Sequence, residues 1–170
     1  MFGKVFVTFL ILTLSAAHAK EQIASAGSKN NPLVGSWRLV SYTDTPKGGK
    51  ALKAFGESPI GQFVFTDDGH ISVHLMHNPP APKNADVDPD PDACVPAWYC
   101  AYFGTYAYNA GDSTWTTRVV GGNIVTYIGT DQKRKFTIKD GRLIISETYT
   151  VDGVSYFGER ILVRSTRVEK

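Results

Sequence analysis

Gln62-Phe63-Val64-Phe65-Thr66-Asp67-Asp68-Gly69-His70-Ile71-Ser72-Val73-His74-Leu75-Met76-His77 decides the fold class. Two runs rich in β-branched and aromatic residues flank Asp67-Asp68-Gly69, and an Asp-Gly pair tolerates the positive φ that a tight hairpin turn requires. In the return run, alternation sets Ile71, Val73 and Leu75 on one face and His70, Ser72, His74 and Met76 on the other. Period two means strand, and the segment reads as a hairpin.

The same pattern extends both ways. Upstream, Gly35 to Tyr42 reads as a first strand, and Thr45 to Pro59, rich in Lys, Gly and Pro, as a long loop in which Leu52 to Phe55 could add one helical turn. Downstream, the strand readings are Trp98 to Tyr108, Thr114 to Val120, Ile124 to Ile128, Lys133 to Ile138, Arg142 to Thr150 and Val154 to Arg164. Asp140-Gly141 and Asp152-Gly153 turn the chain between the last three. Strands at hairpin spacing without helices between them argue for an antiparallel meander. Closing the meander removes its unpaired edges. The predicted fold is therefore all-β, a single antiparallel up-and-down barrel of about 8–10 strands over residues 32–166. An open two-sheet sandwich is the alternative.

The loop from residue 78 to 97 breaks the pattern. It holds Pro79, Pro80, Pro82, Pro89, Pro91 and Pro96 with Asp86, Asp88, Asp90 and Asp92. Proline cannot donate to a ladder, so this stretch is an excursion between strands. Its alternating aspartates suggest oxygen ligands for calcium, but the glycine and terminal glutamate of an EF-hand loop are missing. Solvated extended chain has the same composition.

At the start, Lys4, the apolar run Val5 to Leu14 and Ala17-His18-Ala19 form a secretory signal, residues 1–19, with cleavage expected after Ala19. Residues 20–31 read as a flexible lead-in. The expected location is secreted or periplasmic. The apolar run is too short to span a bilayer comfortably, and no transmembrane segment is expected. In an exported chain, the two cysteines, Cys94 and Cys100, favour a disulfide over a metal site. A formal charge of +2 gives no electrostatic reason to expect nucleic acid as partner. The expected state is a monomer or weak dimer.

Four segments carry a family resemblance. They are Leu33-Val34-Gly35-Ser36-Trp37-Arg38-Leu39, Phe65-Thr66 followed by Asp68-Gly69-His70-Ile71-Ser72-Val73, Tyr102-Phe103-Gly104-Thr105-Tyr106, and Gly129-Thr130-Asp131-Gln132-Lys133-Arg134-Lys135-Phe136. In this order they resemble the lipocalin-like domain family of bacterial and fungal proteins, within the calycin-type barrels. The loop 78–97 with its cysteines departs from that pattern. The resemblance implies a barrel with an internal cavity, and an arginine of the last strand, Arg160, lying across Trp37 to close one end. A guanidinium on an indole is a structural plug first and a ligand contact second.

The candidate lining of such a cavity is Leu39, Phe63, Phe65, Ile71, Val73, Leu75, Phe103 and Tyr127. The plainer reading is that these side chains simply fill the interior. His70 and His74 share a face but stand about 13 Å apart along a strand, too far for one metal ion. No metal site and no cofactor is expected. His74 is the candidate acid or base if the cavity does chemistry. Signatures of serine hydrolases, zinc proteases, phosphate loops and dinucleotide folds are absent from the sequence. Three functions stay open. The first is an exported binder of a small hydrophobic or amphipathic molecule. The second is a cavity enzyme of isomerase or cyclase type using a histidine or tyrosine. The third is a solid barrel acting through loop 78–97.

Overall fold

A computed structural model describes residues 30–80 and 99–166. Its strands are β1 (Gly35–Pro46), β2 (Ile60–Phe65), β3 (His70–Met76), β4 (Tyr99–Asn109), β5 (Thr114–Gly122), β6 (Asp131–Lys139), β7 (Arg142–Val151) and β8 (Val154–Arg164). Each pairs antiparallel with the next, and β8 returns to β1, so the eight strands form one closed barrel. The β2–β3 hairpin forms as predicted, and its register sets Phe65 opposite Ile71 and Phe63 opposite Val73. Asp140 and Gly141 have φ of 51° and 71°, and Asp152 and Gly153 have 49° and 78°. Two consecutive positive φ values are the geometry of the type I′ turn, which matches strand twist.

Three local readings of the sequence are corrected. Ile124 to Ile128 is not a strand; Val125–Tyr127 form a short 3-10 turn. The apolar run misled because Ile124 alone of its aliphatic residues is buried, while Val125 and Ile128 are exposed. The segment Leu52 to Phe55 is not helical. Asp44 and Leu52 instead exchange two backbone hydrogen bonds, of 3.0 and 2.8 Å. The first strand also runs past Tyr42 to Pro46. The signal segment, most of the lead-in and residues 81–98, with Cys94 and the four aspartates, lie outside the described residues. Asn31, read as lead-in, is buried, and its side-chain amide donates to the Tyr106 hydroxyl at 2.9 Å.

The barrel has a filled end and an open end. At the filled end, Leu33, Trp37, Phe65, Trp115, Phe136 and Leu143 pack together, with Phe65 edge-on to Trp115 at 5.4 Å between centroids. Trp37 is buried, and its indole N–H donates to the Leu33 carbonyl at 2.7 Å. The arginine over Trp37 is Arg164, not Arg160, with its guanidinium carbon 4.3 Å from the ring centroid. The register gives the reason. Trp37 stands opposite Arg164, and a bulge between Leu39 and Ser41 then brings Tyr42 opposite Arg160. Arg160 accordingly stacks on the Tyr42 ring at 3.8 Å, farther along the barrel.

Candidate functional site

The bulge in β1 also sets the polarity of the interior. Before it, Trp37 and Leu39 point inward; after it, the inward residues are Tyr42 and Asp44. One extra residue shifts the parity of a strand, which is how a bulge re-aims side chains. On β6, Gln132 and Arg134 share the parity of buried Phe136; on β7, Glu147 and Tyr149 share that of buried Leu143 and Ile145. On β8, Arg160 shares the parity of buried Leu162. Polar side chains therefore enter the barrel from four adjacent strands, β6, β7, β8 and β1.

These residues and others line a cavity of about 860 Å³ toward the open end. Its other wall comes from β2 to β5 and is largely apolar: Phe63, Val73, Leu75, Tyr102 and Trp115. Leu52 and Ala54 of the loop after β1, and Tyr127 of the 3-10 turn, complete the lining. Tyr127 meets Tyr102 edge-on at 5.8 Å. A volume above about 300 Å³ is in the range of small-molecule pockets, so the barrel is not solid.

The polar wall is a chain of alternating charges. Arg160 donates from Nη1 to Asp44 Oδ1 at 2.8 Å and to the Thr43 carbonyl at 3.2 Å, and from Nη2 to the Tyr42 hydroxyl at 2.6 Å. Glu147 lies between the two arginines, 3.6 Å from Arg160 Nη2 and 3.7 Å from Arg134 Nε. Arg134 donates to the Lys133 carbonyl at 2.9 Å and to Gln132 Oε1 at 3.3 Å. Burial works against the charges of Arg134 and Arg160, but the surrounding phenols and carboxylates outweigh it and hold both pKa values above the ordinary one. Burial also raises the Tyr42 and Tyr102 phenols. Tyr149 is pushed up to about 12 by burial and by the Asp44 carboxylate. All three phenols thus remain proton donors at neutral pH. Gly158 makes room for this arrangement, since a Cβ there would stand 2.4 Å from Arg160 Nη1 and 2.9 Å from Asp44 Oδ1.

The candidate lining residues divide three ways. Phe63, Val73, Leu75 and Tyr127 border the cavity. Leu39, Phe65 and Ile71 are buried in the core without bordering it. Phe103 is outside: it is 53% exposed on the outer face of β4, its ring resting against Gly121. The inward residues of that strand are Cys100, Tyr102, Gly104 and Tyr106, paired through Leu75, Val73 and Ile71 of β3.

His74 is likewise on the outside, exposed and bonded to Ser72 Oγ at 2.9 Å and the Tyr99 hydroxyl at 2.7 Å. The alternation that buries Val73 and Leu75 turns it away from the cavity, so it cannot be an acid or base there. Among the described residues, no group of His, Cys, Asp and Glu is placed to hold a metal ion. Cys100 is fully buried at the start of β4, and its expected partner Cys94 lies outside the described residues.

A lipocalin-like domain family model matches residues 34–164, essentially the whole barrel. No curated protein sequence matches the chain. Among solved structures, the chain is similar to a redesigned β-barrel at 16% identity, covering 84% of this chain and 97% of that one, with a TM-score of 0.40.

Proposed function

The chain belongs to the lipocalin-like domain family, and from that premise we propose that it is an exported protein that holds one small amphipathic molecule inside its barrel. The observation that carries this reading is the division of the 860 Å³ cavity. Phe63, Val73, Leu75 and Trp115 form one wall, where burying a ligand's apolar surface yields roughly 25 cal/mol per Å². Asp44, Arg134, Glu147 and Arg160 form the facing wall, where a polar end finds hydrogen-bonding groups. A purely apolar ligand would strip water from those charges without replacing its bonds, which is unfavourable. Export and a disulfide between Cys94 and Cys100 belong to the same proposal, supported by the leader-like residues 1–19 and the cysteine pair.

Two measurements test it. Titration with the neutral fluorophore N-phenylnaphthylamine is expected to saturate at one molecule per chain. Native mass spectrometry of protein purified from its own host is expected to show a bound small molecule. A protein that neither binds the fluorophore nor carries a molecule ends the proposal. N-terminal sequencing of that protein is expected to begin at Lys20, and an intact leader would remove export.

A further inference from the structure

Glu147 is the one member of the charged chain whose partners both stand beyond hydrogen-bond reach. Its oxygens lie 3.6 Å from Arg160 and 3.7 Å from Arg134, whereas N–H···O bonds run to about 3.2 Å. It faces the cavity, and its side chain is 31% exposed. Arg160 is committed to Asp44, Tyr42 and the Thr43 carbonyl. Arg134 is less so. It makes one bond from each Nη, to the Lys133 carbonyl and Gln132, leaving a second N–H on each nitrogen. One corner of the cavity therefore presents an acceptor, Glu147, beside a donor, Arg134.

The charge balance narrows what fits there. Asp44 and Glu147 offset Arg134 and Arg160, and Lys53, the remaining charged residue of the lining, is paired with Glu57, so the site is neutral as it stands. A carboxylate head would bring a third negative charge and no hydrogen to donate to Glu147. An ammonium head would bring a third positive charge and nothing for Arg134 to donate to. Each would be an uncompensated charge in a partly desolvated site. A hydroxyl both donates and accepts, and adds no charge.

Resting on the reading that the cavity takes an amphipathic molecule, we infer that the polar end of the ligand is an uncharged hydroxyl, an alcohol or phenol. It donates to Glu147 and accepts from Arg134, with its apolar body against Phe63, Val73 and Leu75. Glu147 and Arg134 then set head-group specificity.

The test is displacement of bound N-phenylnaphthylamine by decanol, decanoate and decylammonium, which share one chain length. In the wild type, decanol is expected to displace at the lowest concentration. Glu147→Gln leaves the cluster with excess positive charge, and the decanoate-to-decanol ratio is expected to move toward decanoate by about tenfold. Arg134→Gln leaves excess negative charge, and the ratio for decylammonium is expected to move the same way.

A wild type that prefers either charged head overturns the inference. So do ratios that are identical in all three proteins, because partitioning of the alkyl chain alone would then explain the order. Either variant suffices if the other fails to fold. A wild type that does not bind the fluorophore at all defeats the carrier reading instead.

Discussion

Arg164 covers the indole of Trp37 and ties the chain across it, donating to the carbonyls of Val34 at 2.8 Å and Pro32 at 2.6 Å. The guanidinium thus satisfies backbone acceptors of the incoming segment and caps the aromatic ring in one placement. Trp37→Ala is expected to cost about 3–5 kcal/mol, the range for large-to-small changes in a core. Arg164→Met keeps some apolar cover but loses two hydrogen bonds and the cation–π contact, and about 1–3 kcal/mol is expected. Urea denaturation measures both. An unchanged midpoint for Trp37→Ala would contradict the plugged end.

How far the sequence reaches is visible in single strands. The hairpin at Asp67-Asp68-Gly69 was legible because alternation and turn chemistry agree there. In β4 they do not. Tyr99, Tyr102, Phe103, Tyr106 and Tyr108 put aromatic rings at both parities, so alternation cannot tell Tyr102 from Phe103. Only the register against Val73 decides it. Asp44 was hidden for another reason: the bulge after Leu39 reverses parity, and nothing in the residue types announces an inserted position. Glu147 and Arg160 were more accessible. They share parity with Ile145 and Leu162, and a charged residue on the apolar face of a strand is the signal that would have marked them.

Asp44 and Arg160 form a pair in which each side chain is 9% exposed. Removing one member leaves the other buried without its counter-charge, which typically costs about 3–5 kcal/mol. Asp44→Leu and Arg160→Leu are each expected to lose that much. The double variant keeps Glu147 with Arg134 and restores charge balance, so it is expected to be more stable than either single variant. A double variant that loses the sum of the two single losses would show that the two residues act independently.

Alkaline pH acts on the same cluster. The ordinary tyrosine pKa is near 10, and Tyr149 is raised to about 12 in the folded state, with Tyr42 raised as well. A raised folded pKa means the native state holds the proton more tightly than the unfolded chain. The stability this contributes is fully present below pH 10 and lost as pH climbs from about 10 toward 12. Urea melts across that interval are expected to show falling stability, less steeply in Tyr149→Phe. Phenolate absorbance is expected to show a late-titrating group that moves earlier in Asp44→Asn. Late titration unaffected by Asp44→Asn would break the link between Tyr149 and that carboxylate.

The proposed bond between Cys94 and Cys100 closes a short loop, and the loop-entropy model assigns about 2 kcal/mol to it. Protein unfolded without reductant is expected to show no reactive thiol, and reduction is expected to lower the unfolding free energy from urea denaturation by that amount. Two thiols alkylated in the unreduced protein would remove the bond.

The division of the paired strands β3 and β4 into an inner and an outer face supplies a test that separates ligand binding from general damage. Leu75 is 4% exposed and borders the cavity, so Leu75→Trp places a larger ring where the ligand's apolar body would lie. Overfilling costs about 1–3 kcal/mol in a packed core and less where open space receives the ring. Fluorophore affinity is therefore expected to fall by about tenfold, equivalent to 1.4 kcal/mol, while the protein stays folded. Phe103 lies on the opposite side of the wall, so Phe103→Ser is expected to leave affinity unchanged and stability within about 0.5 kcal/mol. Isothermal titration of the two variants beside the wild type reads both effects. If Phe103→Ser weakens binding as much as Leu75→Trp does, the ligand sits on the outer face of the sheet and the interior is not the site.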